Sequence, residues 1–452
     1  MSMFSKKEDM KMSIRRKVLS GVLFSAAMLL SGIVLAQGLP TAKPESVGMS
    51  SERLGRIKTA LQREIDADRM PGAVVMIARK GKLVYSEAIG YQDKGSGTPL
   101  KKDAIFRIYS MTKPLASVAA MILVEEGRIA LADPVSKYLP PFAKMEVLVK
   151  DKEGKASREP AKRPITILDL FRHTAGLAYG EFSSVPELKA AYAEAGLFQP
   201  NGPVAESRMI TPEQFTNGIA KAPLVHQPGT TWEYSMAVDV LGRVVEAVSG
   251  QRLSVFMEER LLRPLKMADT GFVVPAAKQG RIAEPLAKNP LTGGPNEAML
   301  DVKIQPLNDS GGGGGVSTAA DYLRFSQMML NGGELGGKRI LSPTSVRLMA
   351  SDHLGSRPSV MLPNGMGLTP GVLLMGSEGY TFGLGFMVRQ GPGLAGIPGS
   401  EGEYSWAGAG GTFFWIEPKE QLAVVYMAQT PGAIRPAYRR LIKQLVGQAI
   451  TK

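Results

Sequence analysis

The sequence predicts a mixed α/β fold, and three observations predict it. Near the front of the chain an amphipathic helix is followed by a hairpin and a second, more apolar helix. Near its end stand two strand-like runs and a closing helix. Between these ends, residues 127–310 are patterned mostly for helices and long loops.

With 452 residues, the chain can bury a sizeable core in one large domain or two. Its 44% hydrophobic and 21% charged content is ordinary for a soluble globular protein. Of the formal net charge of +13, residues 1–36 contribute +4 through six Lys/Arg and two Asp/Glu. The remainder is spread without a long basic run, which reads as a solvated basic surface, and no nucleic-acid partner is expected. Cysteine is absent, which excludes disulfides, thiolate chemistry and Cys-ligated zinc. His173, His226 and His353 stand far apart without metal-ligand spacing, and no metal or other cofactor is expected.

Residues 1–36 read as a signal peptide. Lys6, Lys7, Lys11, Arg15, Arg16 and Lys17 precede an apolar run from Val18 to Ala36. Val34-Leu35-Ala36 matches the small-x-small pattern and places cleavage before Gln37. Export to the periplasm, or secretion, follows, with no stable membrane association after cleavage. Arg15-Arg16 leaves a twin-arginine route open, and an uncleaved anchor is the alternative for a run of this length.

Ser50 or Ser51 then caps a helix whose Leu54, Ile57, Leu61 and Ile65 share one face, and Pro71-Gly72 ends it. Ala73 to Ala78 and Leu83 to Ile89 form a hairpin across Arg79-Lys80-Gly81-Lys82. The next helix starts near Ser110, with Leu115, Val118, Ala119 and Ile122 at helical spacing and Gly127 as its stop. Pro114 is tolerated there because first-turn amides lack intrahelical partners. Ser110 and Lys113 then lie one turn apart, a spacing suited to nucleophilic catalysis. A serine hydroxyl needs a base within reach, and a lysine can act as one if burial lowers its pKa. The helix N-terminus also offers amides to a developing oxyanion. Alone, the Ser-x-x-Lys spacing is weak, because such pairs recur by chance.

Thr166-Ile167-Leu168-Asp169 reads as a capping box opening the short helix of Leu170 and Phe171, with His173-Thr174-Ala175-Gly176 as its final turn. His173 reads as a structural residue bonding a loop. After the turn Pro228-Gly229-Thr230-Thr231, Tyr234 stands at the entrance of a helix carrying Val238, Leu241, Val244, Val245 and Val248. Such a tyrosine is a packing residue unless it faces Ser110 and Lys113. Asn308-Asp309-Ser310-Gly311-Gly312 mimics the nucleophile region of trypsin-like proteases, but no matching β-barrel pattern or histidine accompanies it. Gly311 to Gly315 also lacks the Gly-Lys-Ser/Thr of a phosphate loop, and reads as a close-packed turn. Ser317 or Thr318 caps the following helix, with Tyr322, Phe325, Met328 and Met329 inward. Residues 351–403 read as long loops around one strand, Tyr380 to Val388. Gly411 to Ile416 and Leu422 to Ala428 are strands, and Tyr438, Leu441, Ile442 and Leu445 mark the last helix.

With Ser110, Lys113, Tyr234 and Trp406-Ala407-Gly408 in view, the chain resembles the serine β-lactamase and penicillin-binding superfamily. It is most similar to the class C β-lactamase-like esterases, the family VIII carboxylesterases, over about residues 45 to 450. The resemblance implies a β-lactamase/transpeptidase-like fold, an antiparallel sheet flanked by helices with a mainly helical domain inserted. The implied α/β domain comprises residues 37–126 and 311–452, and the insert residues 127–310. It further implies Ser110 as acylated nucleophile, Lys113 and Tyr234 as general base and acid, and the backbone of Ser110 and Ala409 as oxyanion hole. Trp406 and Gly408 are the implied substrate-binding residues.

Two positions depart from the β-lactamase pattern: Met236 replaces the asparagine of Tyr-x-Asn, and Trp406 the lysine of Lys-Thr-Gly. Loss of that lysine removes a cation for the carboxylate of a lactam, and an indole supplies an apolar wall with one N–H. The expectation is therefore a serine carboxylesterase acting on a small short-chain ester. A β-lactamase, or an esterase with side activity on β-lactams, is the alternative, and a catalytically silent envelope protein a third reading. Oligomeric state and natural substrate are not legible.

Overall fold

A computed structural model describes residues 38–197, 206–355 and 369–452; the expected signal peptide lies outside them. The main sheet has eight antiparallel strands. In spatial order these are Tyr380–Phe382, Met387–Arg389, Tyr404–Ala407, Phe413–Glu417, Leu422–Ala428, Gly72–Arg79, Lys82–Asp93 and Thr98–Pro99. Both chain ends therefore build one sheet, with Gly72–Arg79 paired to its hairpin neighbour on one side and to Leu422–Ala428 on the other. Every residue of these two strands is buried, so both sheet faces are covered. Residues Pro40–Lys452 pack as one unit.

Local chemistry explains the elements. Ser50 caps helix Ser51–Asp66 by accepting from the Arg53 N–H, and Leu54, Ile57, Leu61 and Ile65 are buried. Burying such a side chain is worth about 1.5–3 kcal/mol. That helix packs on the last one, Arg435–Gly447, while Ala319–Leu330 covers strands Gly72–Arg79 and Leu422–Ala428. The first hairpin turns at Lys80 (φ 50°) and Gly81 (φ 73°), the paired positive angles that match strand twist. The capping box forms as expected: Thr166 accepts from the Asp169 N–H, and the Asp169 carboxylate accepts from that of Thr166.

Several expectations need correction. Tyr380 to Val388 is a hairpin, not one strand. A Cβ on Gly383 would stand 2.2 Å from Met349 O, and one on Gly385 (φ 91°) 2.4 Å from Ser117 Oγ, so the reversal needs both glycines. The helix expected to start near Ser110 begins at Thr112, leaving Ser110 in the turn before it. The strand expected from Gly411 begins at Phe413. The stretch 351–403 carries a helix, Pro370–Met375. In the last helix, Leu441 and Leu445 are only half-buried, whereas Arg439 and Lys443 are buried.

A small two-stranded ladder positions the site. Phe106–Tyr109 pairs with Gly315–Ser317, with an irregularity between Arg107 and Tyr109. It sets the Ser110 turn beside the glycine-rich segment of residues 311–315. The helix that follows, Thr112–Glu125, is buried along nearly its whole length and packs on Ala237–Ser249.

Candidate active site

Ser110 follows Tyr109, a non-glycine residue at φ 43°. That conformation costs about 1–3 kcal/mol and persists only where its surroundings fix it. Three contacts do so here. Thr112 Oγ1 donates to Tyr109 O (2.6 Å), the Gly315 N–H donates to Thr112 Oγ1 (2.9 Å), and the Leu300 N–H donates to the Tyr109 phenol (3.0 Å). The Lys113 N–H in turn donates to Ser110 O (3.1 Å).

Lys113 is fully buried. Its Nζ donates to Tyr179 Oη (2.8 Å) and to Gly312 O (2.6 Å), and stands 4.7 Å from the centre of the Tyr234 ring. Gly312 is itself held: its N–H donates to Asp239 Oδ1 (3.0 Å), which also accepts from Ser310 Oγ (2.5 Å). A Cβ at Gly312 would stand 2.0 Å from Asp239 Oδ2. Ser310 is thus a structural donor, and neighbouring Asp309 is taken by Arg252 through two bonds (2.8 and 2.9 Å). The protease-like reading of this stretch fails on both residues.

Tyr234 sits in an aromatic cluster, its ring 5.3 Å from Tyr179, 5.3 Å from Trp406 and 5.0 Å from His173. His173 fixes the approach to it: its carbonyl accepts from the Glu233 N–H (2.9 Å), and its Nδ1 pairs with Ser235 Oγ (3.2 Å). Burial, with a smaller push from the Lys113 charge, holds this imidazole well below its usual pKa and therefore neutral. Burial first, then the Asp239 and Tyr234 charges, raises the Tyr179 phenol well above its usual value.

One cavity of about 280 Å³ is lined by Ser110, Tyr234, Trp406, Gly408 and Ala409, with Tyr179 and Gly312 beside them. Five of the six residues implied by the resemblance thus share one wall, and Lys113 lies behind it, bonded to two lining residues. Neither the Ser110 nor the Ala409 backbone N–H has a protein acceptor among the described residues. Among those residues, no cluster of His, Asp and Glu could hold a metal ion.

The match to known proteins agrees with this geometry. A family model described as Beta-lactamase covers residues 57–447. The chain belongs to the β-lactamase family. Protein Rv1367c of Mycobacterium tuberculosis is 38% identical over 378 residues, 82% of this chain and 89% of its own. Esterase EstB of Burkholderia gladioli is 28% identical over 83% of this chain and 90% of its own. Among solved structures, EstCE1, titled a hydrolase with promiscuous acyltransferase activity, superposes with a TM-score of 0.70 at 28% identity. It covers 87% of this chain and 98% of its own. The fold is that of the β-lactamase and transpeptidase-like serine hydrolases.

Sequence reasoning missed three parts of this candidate site. Tyr179 stands three residues past the turn of His173 to Gly176, but nothing local announces its bond to Lys113. Nothing in the sequence announces that Asp239, in the first turn of its helix, holds the Gly312 N–H. Arg435 and Arg439 also line the cavity, so other cations stand in its wall where the third-box lysine is replaced by Trp406.

Proposed function

We propose that this protein is a carboxylesterase that hydrolyses short-chain esters through a covalent acyl-enzyme on Ser110. The observation that carries the reading is the single small cavity shared by Ser110, Tyr234 and Trp406, with the Lys113 ammonium bonded directly behind it. Similarity to a named esterase supports the substrate class.

In this reading the Lys113–Tyr234 pair enters the cycle one proton short of ammonium plus phenol, and it takes the Ser110 proton as the serine oxygen attacks the ester carbonyl. The amides of Ser110 and Ala409 receive the oxyanion, each worth about 3–4 kcal/mol in such sites. Collapse breaks the C–O bond, and Tyr234 returns the proton to the departing alcohol. A water deprotonated by the same pair then attacks the acyl carbonyl, releasing the acid and restoring Ser110. The charged-leader pattern of residues 1–36 supports export to the periplasm for this activity.

Hydrolysis of β-lactams is the second reading, favoured by the Arg435 guanidinium in the cavity wall, which offers a lactam carboxylate a partner. Turnover of p-nitrophenyl butyrate and of nitrocefin, each with Ser110→Ala as control, tests both. Ester turnover that vanishes in Ser110→Ala is the expected result, and dominant nitrocefin turnover reverses the ranking. Folded protein with neither activity and no Ser110-dependent fluorophosphonate labelling leaves the silent envelope protein.

A further inference from the structure

The last helix brings two guanidinium groups to the loop after Trp406. Arg439 Nη2 donates to Gly408 O (3.0 Å) and its Nη1 to Leu374 O (2.9 Å), while Arg435 Nη1 donates to Ala409 O (2.6 Å). Neither arginine forms an ion pair with a carboxylate among the described residues. Gly408 O and the Ala409 N–H belong to the same peptide unit. No peptide bond among the described residues is cis, so in this planar trans group the N–H leaves the edge opposite the carbonyl. The Gly408 carbonyl also accepts from the Gly411 N–H (3.1 Å), so the buried cation shares in fixing the direction of the Ala409 N–H and adds the charge that polarises it as a donor. Gly408 is confined as well: a Cβ there would stand 2.3 Å from Ile108 O, so the loop lies against the strand that leads to Ser110.

We infer that Arg439, assisted by Arg435, is a positioning residue that aims and polarises the Ala409 amide toward the oxyanion formed at Ser110. The inference rests on the esterase reading and adds to it the device that sets one half of the oxyanion hole. The two cations also bring positive charge to the wall where negative charge develops.

Arg439→Lys, Arg439→Met and Arg435→Gln test it, with kcat and KM for p-nitrophenyl butyrate and the inhibition constant of a trifluoromethyl ketone. The ketone forms an oxyanion adduct with a serine. The Arg439 variants are expected to lose roughly 10- to 100-fold in kcat with KM nearly unchanged, and ketone affinity falls by a similar factor. A merely structural role lowers the melting temperature without moving that ratio. Folded Arg439 variants with kcat within twofold of the parent overturn the inference. So does a rise in KM at constant kcat, which assigns the arginines to substrate binding. If neither Arg439 variant folds, Arg435→Gln decides by the same readouts. Absence of Ser110-dependent turnover in the parent protein refutes the esterase reading and this inference with it. Turnover that is present but indifferent to the arginines refutes the inference alone.

Discussion

Tyr179→Phe is the sharpest single test of how Lys113 is held. The substitution removes one oxygen and keeps the ring, so the packing on Tyr234 at 5.3 Å survives. It also removes no charge, because burial keeps the phenol protonated at any working pH. What it deletes is one of two acceptors around a fully buried ammonium, the bond of 2.8 Å, leaving Gly312 O at 2.6 Å. Hydrogen bonds to charged groups are worth about 1.5–3 kcal/mol. If that anchoring is realised in the transition state, kcat/KM falls roughly 10- to 150-fold. Steady-state hydrolysis of p-nitrophenyl butyrate, beside near-UV circular dichroism to verify packing, measures it. A folded Tyr179→Phe protein with kcat/KM within threefold of the parent refutes the idea that this bond positions the base.

Two further outcomes follow from the same geometry. Burial opposes ionisation of Asp169, but its bonds to Arg163, Thr166 and Thr174 prevail and hold the carboxyl at about 2, below the usual 3.8. Its contribution of about 2 kcal/mol is therefore complete above pH 4 and is lost as pH falls through 2. Urea unfolding of Asp169→Asn should show a deficit at pH 7 that shrinks below pH 4, and a pH-independent deficit contradicts the assignment. Gly312→Ala drives a methyl group into Asp239 and displaces the carbonyl that accepts from Lys113, so ester turnover should fall at least 100-fold with the fold retained. Turnover within tenfold of the parent shows that the lysine does not depend on this carbonyl.

The parts legible in the sequence are those whose signal is local. Leu54, Ile57, Leu61 and Ile65 announce their helix through spacing, Thr166 and Asp169 announce a cap, and Ser110 and Lys113 lie three residues apart. Tyr234 was placed by resemblance rather than by its own surroundings. Tyr179, Asp239 and Gly312 matter only because distant segments meet, and no window of sequence contains such a meeting. The last helix misleads for a related reason. Arg439 and Lys443 look like a solvated face, yet their acceptors are supplied by Gly408, Leu374 and Glu403 from elsewhere in the chain. Tyr380 to Val388 misleads through apolar content, since whether Gly383 and Gly385 break the run depends on the neighbours Met349 and Ser117.

Strand Gly72–Arg79 forms an early local hairpin, yet its other edge belongs to Leu422–Ala428. A ribosome releases the first partner long before the second, so the nascent hairpin presents a mostly apolar strand with one unpaired edge throughout most of synthesis. Closing so long a loop costs little extra free energy, because the penalty grows only logarithmically, but it is kinetically late. Until that final strand arrives, the open edge offers unpaired N–H and C=O groups to any other chain, and late synthesis is the stage most exposed to aggregation.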